Sequence, residues 1–335
     1  MEYRNLGNSG LKVSVICLGA MTFTEKGWRT AGTMDFSEIK RVVDYALDNG
    51  INFFDTADIY AFGESEELLG KALGNKKNDV IIATKVRGVM DEKDPNNRGL
   101  SRYHIFRSVD NSLKRLGRDY IDLYQLHWWD NHTPIEETLE ALNDLIRMGK
   151  IRYIGISDFA GWQIARSVSI QEMKNYTKFV SAQMYYSLLG RDIEFEVVPA
   201  CEALGLGILA WSPLAGGFLT GKYSKDSPHP EDSRYSRMER PFLRFDFEKG
   251  YFIIDELKKI AEKYNATVSQ VALNWVKSKS FISSVIIGVR SLEQLKDNLG
   301  CVRWDLSQED VEYLDQITQS ERPYPQWFLD LFADL

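Results

Sequence analysis

The sequence predicts an α/β chain folded as a (β/α)8 TIM barrel with an N-terminal β-hairpin and long rim loops. Three observations carry this reading. Eight short apolar runs recur along 335 residues, and most are continuous rather than alternating, as parallel strands covered on both faces require. Amphipathic segments with helix-start signals lie between them. No linker or low-complexity tract divides the chain, and barrels of this kind take such a length as one domain, expected here over residues 1–335.

The first residues follow hairpin grammar: Tyr3–Leu6 and Leu11–Val13 flank the turn sequence Asn8-Ser9-Gly10. Strands are then expected at Val15–Leu18, Asn52–Phe54, Val80–Ala83, Ile121–Leu126, Tyr153–Ile156, Val180–Met184, Ile208–Trp211 and Val285–Ile287. Thr133-Pro134-Ile135-Glu136 reads as a capping box with proline at the first helical position. Beyond it Ile135, Leu139, Leu142, Leu145 and Ile146 form one apolar face, and Gly149 ends the helix. Asp35-Phe-Ser-Glu38, Thr267-Val-Ser-Gln270 and Ser291-Leu-Glu-Gln294 repeat the capping pattern. An irregular stretch from Tyr223 to Asp246, with Pro228, Pro230 and Pro241, is long enough to be a lid or binding loop.

Composition limits the function classes. Hydrophobic residues make up 44% of the chain, enough for a large core, and the net charge of −7 with a pI near 5.3 disfavours nucleic acid or an anionic membrane as partner. No apolar run approaches a membrane span, and Met1-Glu2-Tyr3-Arg4 does not open a signal peptide. Cys17, Cys201 and Cys301 are far apart, which suits reduced thiols in a cytoplasmic protein. The scattered cysteines and four histidines predict no metal site. The apparent G-x-G-x-x-A of Gly205–Ala210 precedes a strand instead of following one, so it reads as a helix end entering the seventh barrel strand and not as a dinucleotide fingerprint.

Active sites of such barrels stand at the C-terminal strand ends. Read in order these are Gly19-Ala20-Met21-Thr22, Asp55 with Tyr60, Lys85, His127, Ser157-Asp158, Gln183, Trp211-Ser212 and Gly288-Val289-Arg290. A single acid or serine there would simply cap the next helix. Lys85 and His127 are not capping residues, and with Asp55 and Tyr60 they form a coherent set. A free phenol, with pKa near 10, is poorly matched to neutral pH. A lysine cation beside it favours phenolate, an acid beside the lysine holds that cation charged, and a neutral histidine can donate to a substrate oxygen. Such a set can deliver a proton to a carbonyl oxygen as hydride arrives at its carbon.

These residues resemble a known family. Asp55-Thr-Ala-Asp-Ile-Tyr60, Thr84-Lys85, Leu126-His127, Ile154-Gly-Ile-Ser-Asp158, Trp211-Ser-Pro-Leu-Ala-Gly-Gly217 and Ile287-Gly-Val-Arg-Ser-Leu-Glu-Gln-Leu-Lys-Asp-Asn298 are similar, in order and almost end to end, to the aldo-keto reductases, in particular the bacterial branch called aryl-alcohol-dehydrogenase-like. The resemblance implies a barrel that reduces aldehydes or ketones with NADPH, reversibly. Tyr60 would be the general acid, His127 would polarise the carbonyl, and Lys85 paired with Asp55 would lower the pKa of Tyr60. Trp211 would stack on the nicotinamide, with Ser157, Asp158 and Gln183 at its carboxamide. Ser212, Pro213, Leu214, Gly216 and Gly217 would wrap the pyrophosphate. Gly288, Arg290, Gln294 and Asn298 would take the adenosine end, with further cofactor contacts from Gly19, Ala20, Met21, Thr22, Asp55 and Lys222. Arg290 can pair with the 2′-phosphate that distinguishes NADP from NAD. Gln294 also fits as capping partner of Ser291.

Two positions depart from the family pattern: Asp158 stands where asparagine is common, losing a donor, and Ile287 where proline is usual. Trp28, Phe62, Trp128, Trp129 and the tail Tyr324–Phe328 supply aromatic residues for rim loops and tail. Substrate contacts are expected from Trp28, Tyr60, His127 and Trp128, favouring apolar or aromatic carbonyls. His132 and His229 read as surface residues. The expected partner is a small carbonyl or alcohol substrate, with neither nucleic acid nor membrane; oligomeric state is open. Two alternatives remain: a regulatory, redox-sensing subunit on the same barrel, and Lys85 as a Schiff-base nucleophile, which its pairing with Asp55 disfavours.

Overall fold

The structure, a computed structural model, describes all residues except 29–31, 229, 231–232, 234, 236–242 and 333–335. Eight parallel strands close into a barrel: β3 (Ile16–Gly19), β4 (Phe53–Asp55), β5 (Ile81–Val86), β6 (Ile121–Leu126), β7 (Ile151–Ser157), β8 (Ser181–Tyr185), β9 (Gly207–Trp211) and β10 (Ile282–Gly288). Each pairs with its neighbour in sequence, and β10 returns to β3, so no edge is left open. All eight apolar runs read from the sequence are strands, with ends that differ by at most three residues.

The N-terminal hairpin, β1 (Tyr3–Asn5) and β2 (Lys12–Ser14), covers the N-terminal mouth. Its Leu6 and Val13 pack on the inward residues Cys17, Phe53, Ala83, Leu123, Leu209 and Ile286. Gly7 makes that seal possible. A Cβ there would lie 2.5 Å from the carbonyl oxygens of both Val180 and Gly205, and its φ of +55° disfavours any side chain.

Helices α1 (Phe36–Asp48), α2 (Glu64–Leu73), α3 (Arg102–Leu116), α4 (Ile135–Arg147), α5 (Gly161–Met173), α6 (Val197–Leu204), α7 (Phe247–Tyr264), α8 (Val268–Ser278), α9 (Leu292–Asn298) and α10 (Gln308–Thr318) form the outer layer, and α11 (Gln326–Asp330) lies in the tail. Asp35, Thr267 and Ser291 cap α1, α8 and α9 as their sequences predict, each accepting from the N–H three residues on. Among the described residues the reciprocal half of each box is absent. Glu38 accepts from Leu292 N–H and Arg41, Gln270 donates to Asp297, and Gln294 accepts from Arg290 N–H. The box expected at Thr133 does not form. Pro134 occupies the cap of α4, and the Thr133 hydroxyl donates to Asp130 because that carboxylate organises the preceding turn. Gly205 ends α6 with φ +76° and β9 follows, as expected for the rejected glycine pattern.

In the described part of the stretch from Tyr223 to Asp246, residues 225–228 are exposed and three aromatic residues anchor the chain. Tyr223, Tyr235 and Phe245 pack around Phe218, and the Tyr235 hydroxyl donates to Ala215 O at 2.9 Å. Pro241 and His229 lie outside the described residues. Among the described residues no helix is long and apolar enough to cross a membrane.

Candidate active site

Period-two alternation places the site. On β4 Phe53 faces inward and Phe54 faces the helices, so Asp55 is the next inward side chain. The same count brings Lys85 inward after Ala83 on β5, and Gln125 inward after Leu123 on β6. Asp55 is 2% exposed and Lys85 fully buried, so this charge pair survives only if every polar atom finds a partner. It does. Lys85 Nζ donates to Asp55 Oδ1 at 2.5 Å, to Thr56 O at 2.8 Å and to the Tyr60 hydroxyl at 3.3 Å. Asp55 Oδ2 accepts from Gln125 Nε2 at 3.1 Å and Gln183 Nε2 at 2.9 Å.

Tyr60 arrives on the loop after β4. Thr56 N–H and Asp58 N–H donate to the β5 carbonyls of Ala83 and Lys85, which folds the loop over that strand. Ala61 and Phe62 then take φ of +47° and +54°, a conformation costly for non-glycine residues and common where a side chain must be aimed. His127 follows β6 with its N–H on Val86 O, and its ring lies 5.7 Å from that of Tyr60 at 80°.

Burial alone would lower Lys85, but Asp55 and Tyr60 outweigh it and hold the ammonium above the usual lysine range. The expectation that Tyr60 would be lowered is corrected. Burial raises the phenol above its ordinary value; the charge of Lys85 opposes this, as expected, without overcoming it, while Asp55 and Asp158 add to the rise. Tyr60 therefore rests as a phenol with a cation beside it.

The loops after β3, β9 and β10 border a second part of the mouth. Gly19 and Ala20 are buried, Met21 is half-buried, and the Thr22 hydroxyl donates to Val289 O, tying two loops together. Trp211 Nε1 donates to Asp158 Oδ1 at 3.0 Å, and Ser157 Oγ donates to Asp158 Oδ2 at 3.4 Å. Asp158 has φ +51°, and loss of hydration among its neighbours pushes its carboxyl up to about 6, while Trp211, Lys85 and Ser157 pull it down. Ser212, Ala215, Gly216 and Gly217 also have positive φ, so the chain curls after β9, with Pro213 and Leu214 inside the curl and Lys222 beyond it. Arg290 N–H rests on Gln294, and Asn298 is buried at the end of α9. Gln183 is recessed deeper than the sequence suggests, with its amide nitrogen occupied by Asp55 and Gln125.

On the rim, Trp28 lies 5.5 Å from Tyr60 and Trp128 4.7 Å from His127, ring to ring. Trp129 turns away onto Phe159 and Trp162, Phe62 is exposed, and the tail anchors through Gln326 to Phe195 O. His132 N–H closes the Asp130 turn.

Two features escaped the sequence reading. Gln125 was concealed inside an apolar run, though a glutamine at an inward position was the available signal. Asp58, beneath the Tyr60 loop, is fully buried; Ser108 Oγ donates to its Oδ2 at 2.8 Å, and among the described residues Asp58 Oδ1 and the buried Tyr124 hydroxyl make no hydrogen bond of good geometry. Burial, then the neighbouring Glu66, pushes Asp58 up to about 7. Nothing in the local sequence distinguishes it from a helix-capping acid.

A closed parallel barrel with this constellation at its C-terminal mouth defines the class. The Aldo/keto reductase family model matches residues 15–319, and the chain belongs to that family. It is accordingly an oxidoreductase, in a family that generally uses NAD(P)H. It is 40% identical over 327 residues to the uncharacterized oxidoreductase YrpG of Bacillus subtilis, covering 95% of this chain and 96% of that one. It is 36% identical to the versiconal hemiacetal acetate reductase of Aspergillus parasiticus, covering 94% and 96%. It is also 36% identical to a protein of Arabidopsis thaliana named "Probable voltage-gated potassium channel subunit beta", covering 97% and 99%.

Proposed function

We propose that this protein is an NADPH-dependent reductase of aldehydes and ketones that also oxidises the matching alcohols. The observation that carries the reading is the Tyr60 hydroxyl 3.3 Å from Lys85 Nζ, with Lys85 paired to a buried Asp55.

The residues bordering β9 and β10 fit such a cofactor. A Cβ on Gly217 or Gly288 would meet nothing within 4 Å, so the surface beside them is open to a long flat molecule. Trp211 offers an indole face there, and Arg290 a cation for a 2′-phosphate. NADPH, when bound, supplies a hydride to the carbonyl carbon. Tyr60 gives its proton to the carbonyl oxygen, so that the alkoxide never accumulates. The phenolate left behind is stabilised by the Lys85 charge, whose own proton Asp55 secures. His127 donates to the same oxygen and polarises the carbonyl.

Tyr60→Phe removes the transferable proton while keeping the ring. It should lower kcat by about 10²–10⁴-fold with NADPH affinity retained. Stopped-flow reduction of benzaldehyde and equilibrium NADPH binding test this; near-normal turnover would refute the mechanism. Arg290→Ala should raise the dissociation constant for NADPH by about tenfold or more, with little effect on NADH. Equal effects on both would refute the 2′-phosphate role.

A second reading, a cofactor-binding regulatory subunit, rests on the likeness to the plant protein named for a potassium channel. Very slow cycling with every carbonyl compound in a panel would favour it.

A further inference from the structure

Arg87 lies two residues beyond Lys85, at the mouth of the barrel. Its guanidinium carbon sits 4.6 Å from the centre of the Trp128 ring. Trp128 touches His127, and His127 faces Tyr60, so one chain of contacts joins this cation to the proposed proton donor. Its Nε is buried and has no acceptor, and among the described residues its side chain is in no hydrogen bond or ion pair. The acid whose charge it feels, Asp130, has its oxygens taken: Leu100 N–H and the Thr133 hydroxyl reach Oδ2 at 2.8 Å each, and His132 N–H reaches Oδ1 at 3.0 Å. Burial disfavours the charge on Arg87, and Asp130 offsets this incompletely. A partly buried guanidinium with unused donors calls for an explanation, because such groups are normally satisfied.

The backbone that carries Arg87 is fixed. Its φ of +143° falls where side chains are strained, and Gly99 N–H holds its carbonyl at 3.0 Å. Gly88 follows, pressed so closely on the Tyr60 loop that a Cβ would lie 2.5 Å from Ile59 Cβ. The guanidinium is therefore presented by a rigid turn. It also stands far from the proposed cofactor cleft. In the strand order β10-β3-β4-β5-β6-β7-β8-β9, the strand that carries it, β5, lies directly across the barrel from β9. The phosphates of a cofactor held by the loop after β9 would lie on the opposite side of the mouth.

We propose that Arg87, seated over the ring of Trp128, receives an anionic oxygen group of the substrate, and that this protein acts on aromatic carbonyl compounds bearing a carboxylate or a phosphate monoester. The guanidinium fork matches either anion by paired N–H donors, and the aromatic rim of Trp28 and Trp128 suits the ring between anion and carbonyl. This deepens the reductase reading and rests on it.

The test uses the full chain with NADPH and three substrates: 4-carboxybenzaldehyde, 4-formylphenyl phosphate and the neutral methyl 4-formylbenzoate. Wild type should favour at least one anion over the ester by about tenfold or more in kcat/KM, the scale of a charge-assisted contact. Which anion wins identifies the group. Arg87→Met should erase that preference through KM, with kcat and the ester changed less than about threefold. Arg87→Lys, which keeps the charge but loses the fork, should retain part of it. Calorimetric binding of 4-(hydroxymethyl)benzoate and 4-(hydroxymethyl)phenyl phosphate, with wild type and Arg87→Met compared, separates the two proposals. Arg87-dependent anion binding without turnover of any substrate would sink the reductase reading and uphold the anion site. If wild type and Arg87→Met treat anionic and neutral compounds alike in both measurements, or if Arg87→Met harms all three substrates equally, the anion site is wrong and Arg87 only packs on Trp128.

Discussion

At the scale of residues, the chemistry depends on how Asp55 is satisfied. One oxygen takes Lys85, and the other takes amide N–H groups from Gln125 and Gln183. Both glutamines are neutral, so they fix the carboxylate without competing with Lys85 for its charge. Gln125→Met keeps the volume and removes one donor. It should cost about 1–3 kcal/mol of stability and lower kcat by about tenfold, through a looser Lys85 and not through cofactor affinity. Urea denaturation and steady-state kinetics check this; unchanged stability would show that Asp55 does not need the second amide. Asp55, Tyr60, Lys85 and His127 were legible because titratable residues ended apolar runs. The direction of the Tyr60 shift was not, because it depends on how completely the loop encloses the ring, and enclosure is a tertiary property.

At the scale of elements, the sequence was most informative where a single strand or turn decides the outcome. All eight barrel strands and the caps at Asp35, Thr267 and Ser291 are local, and each is where the residues put it. What was lost was the second partner of each cap, since Glu38 and Gln270 reach other helices that local spacing cannot bring near. Gly70 shows the same limit. It lies inside α2 without positive φ, where alanine would ordinarily favour the helix by about 1 kcal/mol. Yet a Cβ there would approach Leu116 O of α3 to 2.6 Å. Overpacking against backbone costs about 1–3 kcal/mol, so after that gain Gly70→Ala should destabilise by up to about 2 kcal/mol. A rise in melting temperature would contradict this.

At the scale of the whole molecule, the buried Asp58 couples the fold to pH. Its folded pKa of about 7 lies well above the ordinary carboxyl value, so the native state binds the proton more tightly than the unfolded chain. The resulting stability is complete below about pH 4 and is lost as pH rises to about 7, amounting to a few kcal/mol for a shift of this size. Asp58→Asn should flatten that limb. Denaturation midpoints between pH 5 and 8 measure it, and an equal slope in both proteins would place the titration elsewhere. The barrel itself was legible from the order of runs and helices. The Asp58 cluster was not, because Asp58, Glu66, Ser108 and Tyr124 are brought together only by packing of the loop after β4 against α2, α3 and β6.

The distribution of partners around Asp55 also bears on how the chain assembles. Lys85 comes from the adjoining strand, but the two amides come from β6 and β8, and the ring of strands closes only when β10 has joined both β9 and β3. A chain emerging from the ribosome therefore makes the acid and the lysine early, while both are still hydrated. The cost of taking their charges out of water falls on the closing of the barrel, when the full set of donors is present to offset it. The buried, fully partnered ion pair therefore comes into being with the last strand.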